Sequence, residues 1–180
     1  MTAQTVVVKI GGSTLGHHDT SLEDLVAIQQ RGVRTVVIHG GGAEITKWLA
    51  SLGLKSSFVD GLRVTGAEEL RVVTAVLSGL VNKTLVLELQ SRGARAVGLS
   101  GADGSVVRAV VSRPALGFVG DIRAVDASLV VTLLDAGYLP VISPVSWGTA
   151  GDHASLLNVN ADDVAAEIAV ALCASSLIFL

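Results

Sequence analysis

Short apolar runs rich in Val and Ile alternate along this chain with longer stretches whose apolar residues recur at helical spacing. That alternation marks βα units built on a parallel sheet. The first strand falls on residues 5–10 and is followed by Gly11-Gly12-Ser13 and a polar loop carrying His17 and His18. A helix over 22–31 then places Leu22, Leu25, Val26 and Ile28 on one face. A second strand, 35–39, runs into Gly40-Gly41-Gly42 and a helix through Ile45, Trp48, Leu49 and Leu52, which Gly53 stops. Residues 55–65 become extended around Asp60-Gly61, the strongest short hairpin signal in the chain. A long helix over 68–92 ends at Gly93, and 94–99 makes a third core strand. Shorter strands at 105–111 and 118–122, a helix at 127–136 and a strand at 139–143 follow. The last helix covers 160–173, and 176–180 starts one more apolar strand.

A buried parallel strand is normally covered by a following helix, so the pattern predicts the front portion of a longer α/β architecture. No internal repeat or low-complexity tract suggests another organisation. The longest apolar stretch, 168–180, is interrupted by Ser175 and Ser176 and falls short of the roughly 20 residues a spanning helix needs, so no membrane partner is expected. The N-terminus lacks a charged segment before its apolar run and does not read as a signal peptide.

Composition sharpens this picture by exclusion. The 180 residues are 50% hydrophobic and 16% charged, which removes disordered and collagen-like classes. A formal net charge of -3 and only two Trp, one Tyr and three Phe give neither the basic surface nor the stacking platform of a nucleic-acid binder. The single cysteine, Cys173, lies in an apolar helical stretch and is expected to be a buried inert thiol. No disulfide can form within the chain, and a cytoplasmic location is expected.

The candidate chemistry gathers at strand ends. Lys9 sits inside Val6-Val7-Val8-Lys9-Ile10, where an ammonium is penalised unless an anion or carboxylate meets it. A lysine snorkelling from a strand end accounts for it equally well on its own. Its place before Gly11 and Gly12 favours a ligand role, because open α/β sheets bind ligands beyond the carboxyl ends of their strands. His39-Gly40-Gly41-Gly42 repeats the arrangement, with glycines that let backbone N–H groups approach an anion at a helix start. Neither glycine turn matches the GxGxxG or GxxxxGK[ST] phosphate motifs. No His or Cys lies at metal-ligand spacing, so no metal site is expected; His39 reads as a turn residue, and His17, His18 and His153 as solvated loop residues. Arg63, just past Asp60-Gly61, can fork around a carboxylate or serve as an exposed strand charge. Asn158 and Asn160, spaced by one in extended chain, point the same way, with Asp162 within a turn. Helix capping explains part of this cluster; binding a polar substrate and orienting a lysine would explain the rest.

Taken together, VVVKIGGS, VVIHGGGAEI, DGLRVT, GLVNKTL, GFVGDI and NVNADDVAAEIA resemble, in order and spacing, the amino-acid kinase family, and within it the N-acetyl-L-glutamate kinase branch. The resemblance implies a three-layer αβα sandwich with a mainly parallel central sheet and β-hairpins. It implies ATP-dependent phosphorylation of the side-chain carboxylate of N-acetyl-L-glutamate, a step of arginine biosynthesis. Lys9 would stabilise the transferring phosphoryl group and Asp162 would position Lys9. Gly11 and Gly12 would offer N–H groups to the phosphate, and Gly41 and Gly42 would cradle the acceptor carboxylate. Arg63 and Asn158 would hold the α-carboxylate, with Asn160 beside them. Residues 1–175 would be the substrate-binding lobe and 176–180 the first strand of a nucleotide-binding lobe. ATP with Mg²⁺ would be used only by the complete enzyme, with no cofactor bound by this chain, whose partner would be N-acetyl-L-glutamate and which is expected to be inactive alone. A homodimer through the long helix, without arginine feedback, completes the expectation. A kinase for carrier-bound aminoadipate or glutamate, and a non-catalytic amino-acid sensor, are the alternatives.

Overall fold

The computed structural model of the protein describes residues 4–11, 20–111 and 113–180. Gly12, His17 and His18 lie outside them. The chain runs β1 (Thr5–Ile10), α1 (Ser21–Gln30), β2 (Arg34–His39), α2 (Gly42–Ser51), β3 (Phe58–Val59) and β4 (Leu62–Arg63). It continues through α3 (Ala67–Thr74), a π-helical segment (Ala75–Val81), α4 (Asn82–Ser91), β5 (Ala96–Ser100), β6 (Val107–Val111) and β7 (Gly120–Val125). It ends with α5 (Ser128–Asp135), β8 (Leu139–Ser143), β9 (Val145–Ala150), β10 (His153–Asn158), α6 (Ala161–Ala171) and β11 (Ser176–Phe179).

The central sheet has the order β11-β1-β2-β8-β5 and every pairing in it is parallel. Its strands are apolar on both faces because helices cover both. Val6, Val8, Ile10, Val37 and Val141 pack with Leu22, Leu25 and Val26 of α1 and Leu85 and Leu89 of α4. Val7, Val36, Ile38 and Ile142 face the other way, onto Val130 and Leu134 of α5 and Val164, Ala165 and Ile168 of α6. Each such side chain contributes about 1.5–3 kcal/mol when fully withdrawn from water. The three-layer α/β arrangement expected from the sequence is the one found.

A second sheet, β10-β9-β6-β7, joins the α5/α6 side, its Val107, Ala109 and Leu157 sharing that core. It is mixed: β6–β7 and β9–β10 are antiparallel, β6–β9 parallel. The β9–β10 hairpin is absent from the sequence reading. Its signal was Gly151, at φ 62 between Trp147-Gly148-Thr149 and Ser155-Leu156-Leu157. At Asp60-Gly61 the expected hairpin forms between β3 and β4, both turn residues at positive φ (51 and 78) as a type I′ turn requires.

The long helix is continuous over Ala67–Ser91 but passes through seven π-helical residues. It is the one helix among the described residues long and apolar enough to cross a membrane, a segment the sequence reading overlooked. Part of its apolar surface is used internally, with Val73, Val76, Leu77, Leu85 and Leu89 buried, while Leu80 and Leu87 are exposed.

Cys173 corrects another expectation, since it is exposed rather than buried. The last helix stops at Ala171, and Cys173 takes φ 47 with its N–H on the Val170 carbonyl while Ala174 N–H reaches Ala169. That is a Schellman turn with cysteine where glycine normally sits. Gly53 and Gly93 close α2 and α4 with the same bonds, at φ 73 and 92. Cys173→Gly is therefore expected to raise stability by about 1 kcal/mol, and Gly53→Ala to lower it by about the same, in urea unfolding.

Candidate functional site

The carboxyl ends of β1 and β2 lie side by side in the central sheet, with Lys9 opposite Ile38 and Ile10 opposite His39. Lys9 shares a face with Val7, the α6 side, so its ammonium reaches the first turn of that helix and pairs with Asp162 Oδ1 at 2.9 Å. Its side chain is 17% exposed. A carboxylate there is favoured twice, by the ammonium and by the positive end of α6. Asn160 caps the helix, its Oδ1 accepting the Asp162 N–H at 2.8 Å. The capping part of the expectation is thus met, and the lysine has its carboxylate.

Beyond β2 the chain turns through Gly40 and Gly41 into α2. Gly40 N–H donates to the Ile10 carbonyl at 3.0 Å, stitching this turn to β1. A Cβ on Gly41 would lie 2.7 Å from Leu77 Cδ2 and 3.3 Å from Val81 Cγ2, so only glycine lets α2 start this close to the π-helical segment. No side chain caps α2, which leaves its first N–H groups to solvent or a ligand.

Arg63, at the end of β4, is 7% exposed. Its Nη2 donates to the Gly42 carbonyl and to Thr46 Oγ1, both at 2.9 Å, and its Nη1 to Ser56 Oγ. The guanidinium lies 4.6 Å from the Phe58 ring centroid. Among the described residues no carboxylate lies within ion-pair distance of it. Burial pulls its pKa below the ordinary arginine value, but a guanidinium keeps its charge at any physiological pH. Asn158 comes to the same place across 93 residues of sequence: its Nδ2 donates to Thr65 Oγ1 at 3.0 Å, and Thr65 Oγ1 donates to the Arg63 carbonyl at 2.9 Å.

These groups line one cavity of about 200 Å³, walled by Gly40, Gly41, Gly42, Arg63, Asn158 and Asn160, with Phe58, Leu62, Leu77 and Pro144 as its apolar part. Lys9 is not among the lining residues; its partner Asp162 lies two residues beyond Asn160, which is. Gly11 is placed differently. It lines a second cavity of about 370 Å³ on the α4 side, with His39, Gly40, Gly41, Val81 and Thr84. Its N–H donates to the Leu180 carbonyl at 3.0 Å, extending the β1–β11 ladder, so this amide is already engaged rather than open to a phosphate.

His39 is a further correction. It ends β2, 1% exposed, rather than belonging to the turn. Its Nδ1 faces the Gly40 carbonyl at 2.8 Å and its Nε2 faces Asn82 Nδ2 at 3.1 Å. His153 is exposed as expected, though it opens β10 instead of sitting in a loop. Sequence reasoning assigned no role to Asn82, which is fully buried in the middle of the long helix.

With the geometry described, the comparisons with known proteins fall into place. The profile of the amino acid kinase family matches residues 4–180. The chain belongs to the amino acid kinase family. It is 44% identical over 178 residues to the acetylglutamate kinase of Dehalococcoides mccartyi, covering 97% of this chain and 65% of that protein. The chain thus spans somewhat less than two thirds of that relative's length. Among solved structures, a Streptococcus mutans UA159 protein superposes with a TM-score of 0.87 at 29% identity, covering 98% of this chain and 71% of the other. N-acetylglutamate synthase from Neisseria gonorrhoeae, complexed with coenzyme A and N-acetyl-glutamate, gives 0.76 at 26% identity, covering 98% and 41%.

The buried imidazole gives this family member a measurable pH dependence. Burial first, then the Lys83 charge, pulls the His39 pKa from 6.5 to about 4, against the opposing hydrogen bond to Gly40. The unfolded chain therefore binds a proton near pH 6.5 that the folded chain accepts only near 4. Stability is complete above the unfolded value and falls as pH drops through this window, by on the order of 3 kcal/mol. Urea unfolding at pH 7 and pH 4.5 should show this loss in the parent, and a shallower one in His39→Asn.

Proposed function

We propose that this chain carries the acceptor-binding lobe, residues 1–175, of a cytoplasmic enzyme that transfers the γ-phosphoryl of ATP to the side-chain carboxylate of N-acetyl-L-glutamate, with 176–180 opening the nucleotide-binding lobe. The observation that carries this reading is Arg63: a buried cation without a carboxylate among the described residues, in the wall of a small cavity that also receives an uncapped helix N-terminus. A doubly anionic acyl amino acid satisfies both. The 44% identity to an acetylglutamate kinase supplies the reaction class.

On this reading Arg63 and Asn158 hold the α-carboxylate, Asn160 borders the acceptor, and Gly41 and Gly42 present backbone N–H groups to the carboxylate that attacks. Arg63 uses three of its five N–H donors internally, which fixes the guanidinium plane before the acceptor arrives. ATP, with Mg²⁺ as its counter-ion, supplies the phosphoryl group. An acceptor oxygen bonds to the γ-phosphorus as the bond to the bridging oxygen of the leaving diphosphate breaks, and Lys9, held by Asp162, meets the charge on the transferring group. Phosphoryl transfer needs little more from protein side chains than this positioning and preorganised positive charge.

The pairing of chains belongs to the same proposal. Trp48, Leu52 and Leu80 are exposed around a groove of about 710 Å³ between α2 and the long helix, and a second copy of the chain is its occupant. Light scattering should give the mass of two chains for the parent and one for Leu80→Glu; a monomeric parent would remove the dimer.

Calorimetry should detect N-acetyl-L-glutamate binding to this chain and none of arginine; binding of arginine alone would favour a sensor. In the full-length protein Lys9→Ala should lower kcat by on the order of 10²-fold with KM for the acceptor little changed. Arg63→Lys should instead raise that KM by roughly tenfold, because the bidentate fork is lost. Equal kcat in Lys9→Ala and parent would take Lys9 out of the reaction.

A further inference from the structure

Asn82 sits where the π-helical segment passes into α4, 0% exposed, in a helix whose fully buried residues are otherwise apolar. Its Nδ2 donates to the Val141 carbonyl of β8 at 2.9 Å and to the Leu99 carbonyl of β5 at 3.2 Å. Both are acceptors only, so the nitrogen must be on this side of the amide. Its Oδ1 accepts from Lys83 Nζ at 3.0 Å. The third neighbour of Nδ2 is His39 Nε2, so its two N–H groups are shared among three acceptors. Since the other ring nitrogen faces a carbonyl, the His39 proton is on Nδ1 and Nε2 offers its lone pair to Asn82.

The sheet makes room for this amide. A Cβ on Gly98 would lie 2.0 Å from Asn82 Oδ1 and 2.7 Å from Lys83 Nζ. An apolar residue in this place would leave the buried His39 Nε2 without this partner, so packing alone does not account for asparagine here.

We propose that Asn82 and His39 are positioning residues: the Asn82 amide, anchored on β5 and β8, orients the His39 ring, whose Nδ1–H holds the Gly40 carbonyl and so keeps Gly41 and Gly42 in place in the cavity wall. Gly40 is then fixed from both sides, its N–H by Ile10 and its carbonyl by His39. The effect on acceptor binding rests on the function proposed above; the tether itself does not.

The first test needs no substitution. With ¹⁵N-labelled histidine, NMR should find His39 neutral with its proton on Nδ1 at pH 7, and a proton on Nε2, or an imidazolium, overturns the tether. The second compares His39→Asn, which keeps a donor at the Nδ1 position, with His39→Leu, which does not. Amide exchange at Gly41 and Gly42 should quicken roughly tenfold in His39→Leu and in Asn82→Ala, and stay within about twofold of the parent in His39→Asn. N-acetyl-L-glutamate affinity should follow the same order. Equal exchange in the two His39 variants refutes the positioning role. A parent that binds no N-acetyl-L-glutamate refutes the acceptor reading instead, and the tether is then decided by the tautomer and the exchange rates.

Discussion

A guanidinium withdrawn from water is held at Arg63 by three neutral acceptors and one aromatic face, and that unbalanced charge constrains everything around it. Hydrogen bonds to neutral oxygens orient a cation but do not cancel its field, which in a half-desolvated cleft is screened far less than at the surface. Lys9 shows the contrast. It lies near the end of β1 in the central sheet and is neutralised from within by Asp162. One cation is thus balanced by the fold and the other has no carboxylate within ion-pair distance among the described residues, and the uncapped start of α2 adds its partial charge to the second. The acidic balance of the whole chain, -3, coexists with this local excess because the carboxylates lie elsewhere.

Two glycines show how closely the layers must approach for that to happen. Gly41 brings the start of α2 against Leu77 and Val81, and Gly98 opens the sheet surface for Asn82. In each case a single added carbon would collide with the long helix, so the distance between helix and sheet ends is set by backbone rather than by adaptable side chains. The spacing of the Gly40-Gly41 turn against the long helix is then fixed by the fold itself.

Much of this was legible in the sequence where local rules govern. The parallel strands announced themselves by apolar runs, the type I′ turn by Asp60-Gly61, and the Lys9 problem by an ammonium in an apolar strand. The β9–β10 hairpin was not, because Ser146, Gly148 and Thr149 dilute its alternation. Cys173 misled because its apolar surroundings suggested burial, whereas it occupies the left-handed position that ends a helix. The proximity of Arg63 and Asn158 was implied by the family resemblance alone: it depends on Thr65, whose bond to Asn158 spans 93 residues, and no local propensity encodes such a contact. His39 was misjudged for the same reason, since its partner Asn82 lies 43 residues away.

The π-helical segment is where these threads meet. Over its seven residues it presents Leu77 to the cavity that Arg63 lines, Val81 to the neighbouring one, and Val76 and Leu80 to the outer groove. A regular α-helix repeats every 3.6 residues, so side chains four apart stack on one face; the wider π turn alters that phase and distributes four neighbouring apolar residues over three surfaces. Its C-terminal end delivers Asn82 to the sheet. Any partner seated in the groove therefore leans on the same backbone that sets the Gly41 turn, with no flexible loop between them. The irregularity is intrinsically less stable than the helix on either side of it, and it persists here because Gly41, Asn82 and the Ser78–Ser143 hydrogen bond at 2.8 Å each engage a different turn of it or its end.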